Sequence, residues 1–374
     1  CFAEVASRFR EAGGPYLYVR EAFGPQLGFQ AGWLTFWIRV LALAANLNVF
    51  VEYLGQLAPW AAASPGRVVV IVTVMAILTA INLIGVRQAT WTVDLFTLAK
   101  LLPLVLLVLL GLPRLDPEAL ASQAVARPEW TQAILLLMFA YGGFEAPLIP
   151  AGEARDPRRD TAFALLVALG VIALLYGLVQ LAIVGVVPRA ADVKAPVAVA
   201  FGVLLGPAGV TLAALGALVS VWGYATGSVL QAPRLLFSLG ERRELPALLA
   251  HVHPRHRTPD AAILAYAVVT TAIAAYGTFE GTATLSAIVR LVTYGLTCAA
   301  LPMLRRRRPG EAPGFRAPAA ALVAPAGALF CLWLLATRSF GEAWVLPVLM
   351  AFGWLLWRGS ARGRAAASDA APTV

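Results

Sequence analysis

Apolar residues dominate this chain in long blocks, with no period-two alternation and no strand-like runs. Ten blocks are long enough to read as membrane-spanning helices, each near the roughly 20 apolar residues that a bilayer core requires. They run over Leu27–Ala58, Val68–Val86, Leu95–Leu112, Thr131–Pro150, Phe163–Val187, Val210–Leu239, Ala261–Tyr276, Thr282–Leu304, Ala319–Ala336 and Ala343–Trp357. The pattern predicts an all-α polytopic membrane protein. Polar residues gather in the short connections. The chain divides into 1–26, a helix end and loop; 27–304, a core of eight spans; and 305–374, a basic loop, two further helices and a tail.

Composition agrees. The chain is 60% hydrophobic and 13% charged, with a mean hydropathy of +0.77. A soluble domain of 374 residues has too much surface for that. The net charge of +9 does not indicate nucleic acid, because the basic residues are spread over short loops. With the segment before the first span called inside, inside segments carry 19 basic residues and outside segments 6. The positive-inside rule then predicts a multi-pass protein of the cytoplasmic membrane with both ends of the chain in the cytoplasm. Arginine and alanine usage with only two lysines suggests GC-rich bacterial coding. Cys1, Cys298 and Cys331 form no spaced pair. His251, His253 and His256 lack thiol or carboxylate companions, so no metal or cofactor is expected.

One span breaks its own pattern. Phe139-Ala140-Tyr141-Gly142-Gly143-Phe144-Glu145-Ala146-Pro147 lies inside Thr131–Pro150. A glycine costs about 1 kcal/mol against alanine in a helix interior. Pro147 suits the first turn of a new helix. The sequence therefore predicts two half-helices joined by an unwound segment, tolerable only beside a polar cavity. Freed carbonyls suit an ammonium group and a helix N-terminus suits an anion, as a zwitterion would need. The competing reading is a packing notch with a proline kink. Glu145 has two readings as well: a proton-sensitive residue whose carboxyl pKa desolvation raises, or a cap on the second half-helix.

Arg39, Lys100 and Arg290 also lie within spans, and intramembrane charges mark function or internal pairing. Arg39 and Asn46, seven residues apart, share a helical face, as do Ser220, Tyr224 and Gly227. Arg290 and Tyr294 are one turn apart. For most of these, scaffold packing competes with substrate contact. Lys100 either snorkels or holds a fixed internal position.

Several ordered segments together resemble one family. "AINLIGVRQATWTVDLFTLAKLLPL", "FAYGGFE…GEARDPRRD", "SVLQAPRLLFSLGERRELPALLAHVHPRHRTPDAAIL" and "RLVTYGLTCAALPMLRRRRP" are similar to the amino acid–polyamine–organocation superfamily of secondary transporters. "CFAEVASRFREAGGPYLYVREAFG" resembles the end of that family's second helix and the next loop. The resemblance implies a five-plus-five inverted repeat with helices one and six broken at the substrate site. It implies that the first helix and most of the second precede Cys1 in the natural protein, and that without them the chain transports little. It also implies an amino acid or amine held by carbonyls near Phe139, Ala140 and Tyr141, with Phe144 as an aromatic lid. Side-chain selectivity would involve Asn46, Tyr224 and Tyr294. Lys100 would stand where related carriers bind sodium, with Ser220 as partner, implying sodium independence and coupling to protons or exchange. Where the family has Arg-Asp-Gly before a Leu-Pro, this chain has Arg242-Arg243-Glu244, which leaves the role of that loop open. An enzyme lacks a nucleophile or paired carboxylates here, and a channel lacks rings of charge. A non-transporting sensor or scaffold on the same fold is the alternative.

Overall fold

Proline and glycine punctuate the apolar blocks and decide where each helix starts. In the computed structural model, Pro25 opens the longest early helix directly after Gly24, and Pro207 opens another after Gly206. Proline lacks the N–H that the first helical turn cannot use. The structure describes residues 1–9, 13–85, 90–121, 123, 129–145, 148, 157–193, 195–307 and 313–360. Pro147 and the Gly152–Asp156 exit of the broken span lie outside these residues.

The helices are α1 (Phe2–Ala6), α2 (Gly14–Phe23), α3 (Pro25–Leu57), α4 (Gly66–Ile84), α5 (Thr90–Gly111), α6 (Pro117–Ala121), α7 (Trp130–Ala140), α8 (Pro157–Val186), α9 (Pro196–Leu205), α10 (Pro207–Glu241), α11 (Asp260–Tyr276), α12 (Phe279–Arg307), α13 (Ala320–Ala336), α14 (Phe340–Ala343) and α15 (Val345–Gly359). Among the described residues there is no strand. Nine of the ten predicted spans coincide with a helix over their described residues. Three features differ from the sequence expectation. Gly14–Phe23, expected as loop, forms α2, opened by Pro15 and buried through Tyr16, Leu17, Tyr18 and Val19. The span predicted over Thr131–Pro150 is helical only to Ala140. A short apolar helix, α9, was not expected. Its ten residues reach about 15 Å, half a bilayer, and it folds back onto α10.

Five helices are long and apolar enough to cross a membrane among the described residues: α3, α4, residues Ala162–Val186 of α8, α10 and α12. Their burial sorts them. The most apolar stretch of α3 is 78% buried and that of α12 67%, against 17% for α8. So α3 and α12 form the centre, packed on each other, with α10, α2 and α11 against α3. At the edge, α8 turns Leu166, Leu174 and Leu181 outward, and α13 does the same with Leu322, Leu329 and Leu332. A soluble protein does not surround itself with such a belt; a lipid-facing one must.

Connections that the sequence assigns to one face meet one another. On one side Arg20 reaches Glu244 (2.5 Å), Arg305 reaches Glu4 (2.7 Å) and Thr258 donates to the Leu83 carbonyl (2.9 Å). On the other, Arg67 donates to the Ala275 carbonyl (2.9 Å) and to that of Gly277, Arg114 to Leu204 (3.0 Å) and Arg338 to Gln132 (2.8 Å). None of these pairs crosses the bundle, as up-and-down threading of the helices requires.

Candidate functional site

The site grows from the early end of α7. After Ala140 the chain turns over residues 141–145, and Gly143 takes φ 107°, a conformation that costs other residues strain. An eleven-residue helix covers only about 16 Å, so its C-terminal carbonyls fall inside the bundle. Carbonyls at a helix end carry the negative end of the helix dipole, and here the Gly142 N–H serves that of Phe139 (3.0 Å) and leaves it room for a second donor. A cation answers them: Arg290 Nη1, from α12, donates to the carbonyls of Met138 (3.2 Å) and Phe139 (3.3 Å). Its guanidinium lies where a side chain at residue 142 would stand, since a Cβ on Gly142 would overlap it.

Glu145 closes the turn and is 1% exposed. Its Oε2 accepts from the Tyr294 hydroxyl (2.8 Å) and from the Gly143 N–H (2.9 Å). Its Oε1 stands 3.7 Å from Arg290 Nη2 and accepts no hydrogen bond. Arg290 and Tyr294 serve the same carboxylate because one helical turn separates them. Burying such a charge unpaired would cost several kcal/mol, so the two partners are what make Glu145 tolerable. Phe144 packs its ring 5.2 Å from that of Tyr294 and 5.1 Å from Phe2. Arg39 on α3, 6% exposed, lies within electrostatic reach of Glu145 and leaves its Nη2 without a partner.

A second feature adjoins this cluster. A cleft of about 630 Å³ opens between α3, α5, α8 and α10. Its polar lining comes from Asn46, Lys100, Tyr176, Ser220 and Tyr224, and the rest is aliphatic or aromatic. Two tyrosines join it to the α7 break. Tyr176 sits 5.4 Å from the ring of Tyr141, and Tyr224 lies within electrostatic reach of Arg39, Arg290 and Glu145. Lys100 is exposed in the cleft, with no ion pair among the described residues.

The sequence-selected residues thus fall into two adjoining groups. Phe139, Tyr141, Gly142, Gly143, Phe144, Glu145, Arg290 and Tyr294 meet around the turn, with Ala140 at the end of α7. Asn46, Lys100 and Ser220 meet in the cleft, and Tyr224 belongs to both. Arg39 and Asn46 part company: Arg39 is buried beside the turn, while Asn46 faces the cleft and ties its Nδ2 to the Ala42 carbonyl (2.8 Å). The structure adds the Met138 carbonyl and Tyr176, which no local motif marks. It also gives Glu244 a place. Buried to 2% exposure, it accepts from Arg20 (2.5 Å) and from Tyr16 (3.1 Å), tying α2 to the loop after α10. The His251 ring does have a carboxylate companion that the loop sequence did not show, Asp260 at 2.7 Å across the start of α11, but among the described residues no three His, Cys, Asp or Glu side chains gather as metal ligands.

A lipid-belted helical bundle with a buried charge cluster at an interrupted span defines a multi-pass membrane carrier. Residues 1–354 match the model of the amino acid permease family, and the chain belongs to that family. It is 27% identical over 341 residues to the serine/threonine exchanger SteT of Bacillus subtilis (strain 168), covering 88% of this chain and 77% of that protein. It is 25% identical over 377 residues to the methylthioribose transporter of the same organism, covering 96% and 81%. It is 26% identical over 328 residues to the human large neutral amino acids transporter small subunit 2, covering 83% and 60%.

Proposed function

We propose that the protein is a secondary active transporter that moves amino acids or related amines across the cytoplasmic membrane of a bacterium. The observation that carries this is the span that stops at Ala140 and turns at residues 141–145, inside the bundle and beside an open cleft. Backbone polar groups are exposed at membrane depth only where a ligand, water or another protein group serves them. The substrate ammonium would take the carbonyls at the end of α7, near Phe139, Ala140 and Tyr141. Phe144 would cover it, and Asn46, Tyr224 and Tyr294 would surround the rest. The names of two relatives, a serine/threonine exchanger and a large neutral amino acid transporter, support this substrate class.

Lys100 would supply a positive charge to the cleft that Ser220 also lines; the two make no hydrogen bond in this conformation. A lysine at the bilayer centre costs about 2.5–3.5 kcal/mol on insertion scales, a cost hard to sustain without a role. An ammonium in that place leaves no charge deficit for sodium, so transport runs without it. Exchange or proton movement then supplies the driving force, with Glu145 as the group whose protonation alternates. Both ends of the chain lie in the cytoplasm on this reading. The test is uptake into sodium-free proteoliposomes by the protein expressed from its complete coding sequence. Uptake driven by a pH gradient or by internal amino acid is expected; strict dependence on added sodium would contradict it.

A further inference from the structure

Two glycines stand at the turn, and the structure separates their reasons. Gly143 is needed for its φ of 107°. Gly142 has no left-handed backbone conformation; it is small because Arg290 lies against it. Any side chain there would push the guanidinium off the carbonyls of Met138 and Phe139. The seat for this cation is therefore built from both sides, by a missing side chain and by a helix end.

We propose that Arg290 is a tethered cation that competes with the substrate's ammonium for the carbonyls at the end of α7, and so sets how tightly the site takes amine-bearing substrates. The inference rests on the permease reading above. Its second support is a place for the guanidinium to go. Glu145 Oε1 is buried, accepts no hydrogen bond, and stands 3.7 Å from Arg290 Nη2. Arg290 Nε is buried and equally unpartnered. A small rotation of the guanidinium toward Oε1 would satisfy the free acceptor and vacate the two carbonyls. An incoming ammonium then replaces one cation by another at the helix end, while the guanidinium keeps its carboxylate. Charge is conserved throughout. Without an ammonium the guanidinium returns, so the resting site is filled by the protein itself.

The competition predicts a specific gain. Binding of L-threonine and L-leucine, and of their desamino counterparts 3-hydroxybutanoate and 4-methylpentanoate, is measured by calorimetry on the protein from its complete coding sequence in nanodiscs. Three variants are compared with the parent: Gly142→Ala, whose methyl takes the place of Nη1 and so closes the seat to any cation; Arg290→Gln; and Arg290→Gln with Glu145→Gln, which removes the pair as a unit. Each is admitted if it elutes as a single species and melts cooperatively. At least one amino acid should bind about tenfold tighter to one or both Arg290 variants and no tighter to Gly142→Ala, while the desamino compounds shift less than twofold. Equal shifts for both compound types, or unchanged or weaker amino acid binding in the folded Arg290 variants, overturn the competition and leave the permease reading standing. Absence of binding by the parent and all variants overturns both.

Discussion

Replacing Tyr294 with Phe removes one hydroxyl and leaves the ring packed at a tilt beside Phe144. That hydroxyl donates to Glu145 Oε2 at 2.8 Å, in a place where the carboxylate is 1% exposed. A hydrogen bond to a charged group is worth about 1.5–3 kcal/mol, and burial places this one toward the upper part of that range. Glu145→Gln alone removes the counter-charge of Arg290 and is expected to cost about 3–5 kcal/mol. In that background the tyrosine donates to a neutral amide, so Tyr294→Phe should then cost only about 0.5–1.5 kcal/mol. A double-mutant cycle should therefore return a coupling of about 1–2 kcal/mol. Equilibrium unfolding in mixed micelles measures it. A coupling below about 0.5 kcal/mol would refute the claim that Tyr294 is committed to Glu145.

Lys100→Met should leave unfolding stability within about 0.5 kcal/mol, because the lysine forms no ion pair among the described residues, while sodium-free uptake is lost. Full uptake by that variant would mean that Lys100 only snorkels. Glu244→Gln should lower stability by about 1–3 kcal/mol, since it weakens a buried acceptor of Arg20 and Tyr16; an unchanged thermal melt would contradict this. The hydrogen bond from His251, followed by the Ala261 N–H and the charges of His251 and His253, holds the Asp260 carboxyl below its usual value despite a small opposing effect of burial. A depressed carboxyl stabilises the fold above its unfolded pKa and loses that contribution as pH falls through the folded one. Asp260→Asn should therefore lower the melting temperature slightly at pH 7 and by less at pH 3; an equal loss at both would contradict the assignment. The pair is exposed, so the effect is a fraction of a kcal/mol.

The helices were legible because bilayer thickness writes itself into sequence as apolar length. The turn after Ala140 was legible for a related reason: Gly142, Gly143 and Glu145 contradict the apolar block that surrounds them. The short helix α9 was not, because ten apolar residues are too few to span and too many for a turn. What Arg290 does was also hidden. Its acceptors lie 151 and 152 residues earlier in the chain, and no local pattern reports a contact at that separation. Gly142 shows the limit well. The Gly-Gly pair suggested either an unwound site or a packing notch, and the structure assigns one glycine to each. Glu244 was visible only as a departure from the family pattern, since its value depends on Arg20 and Tyr16 arriving from α2.

The central claim is that the turn at residues 141–145 is the substrate site of an amino acid permease. Gly143→Val tests it most directly, because valine resists a φ of 107° while adding only three carbons. Uptake of radiolabelled L-threonine and L-leucine is measured in sodium-free proteoliposomes, with equal amounts of inserted parent and variant made from the complete coding sequence. The account predicts saturable uptake of at least one amino acid by the parent and none by Gly143→Val. Saturable uptake that is equal in both, or absent from the parent for every amino acid tried, would contradict it.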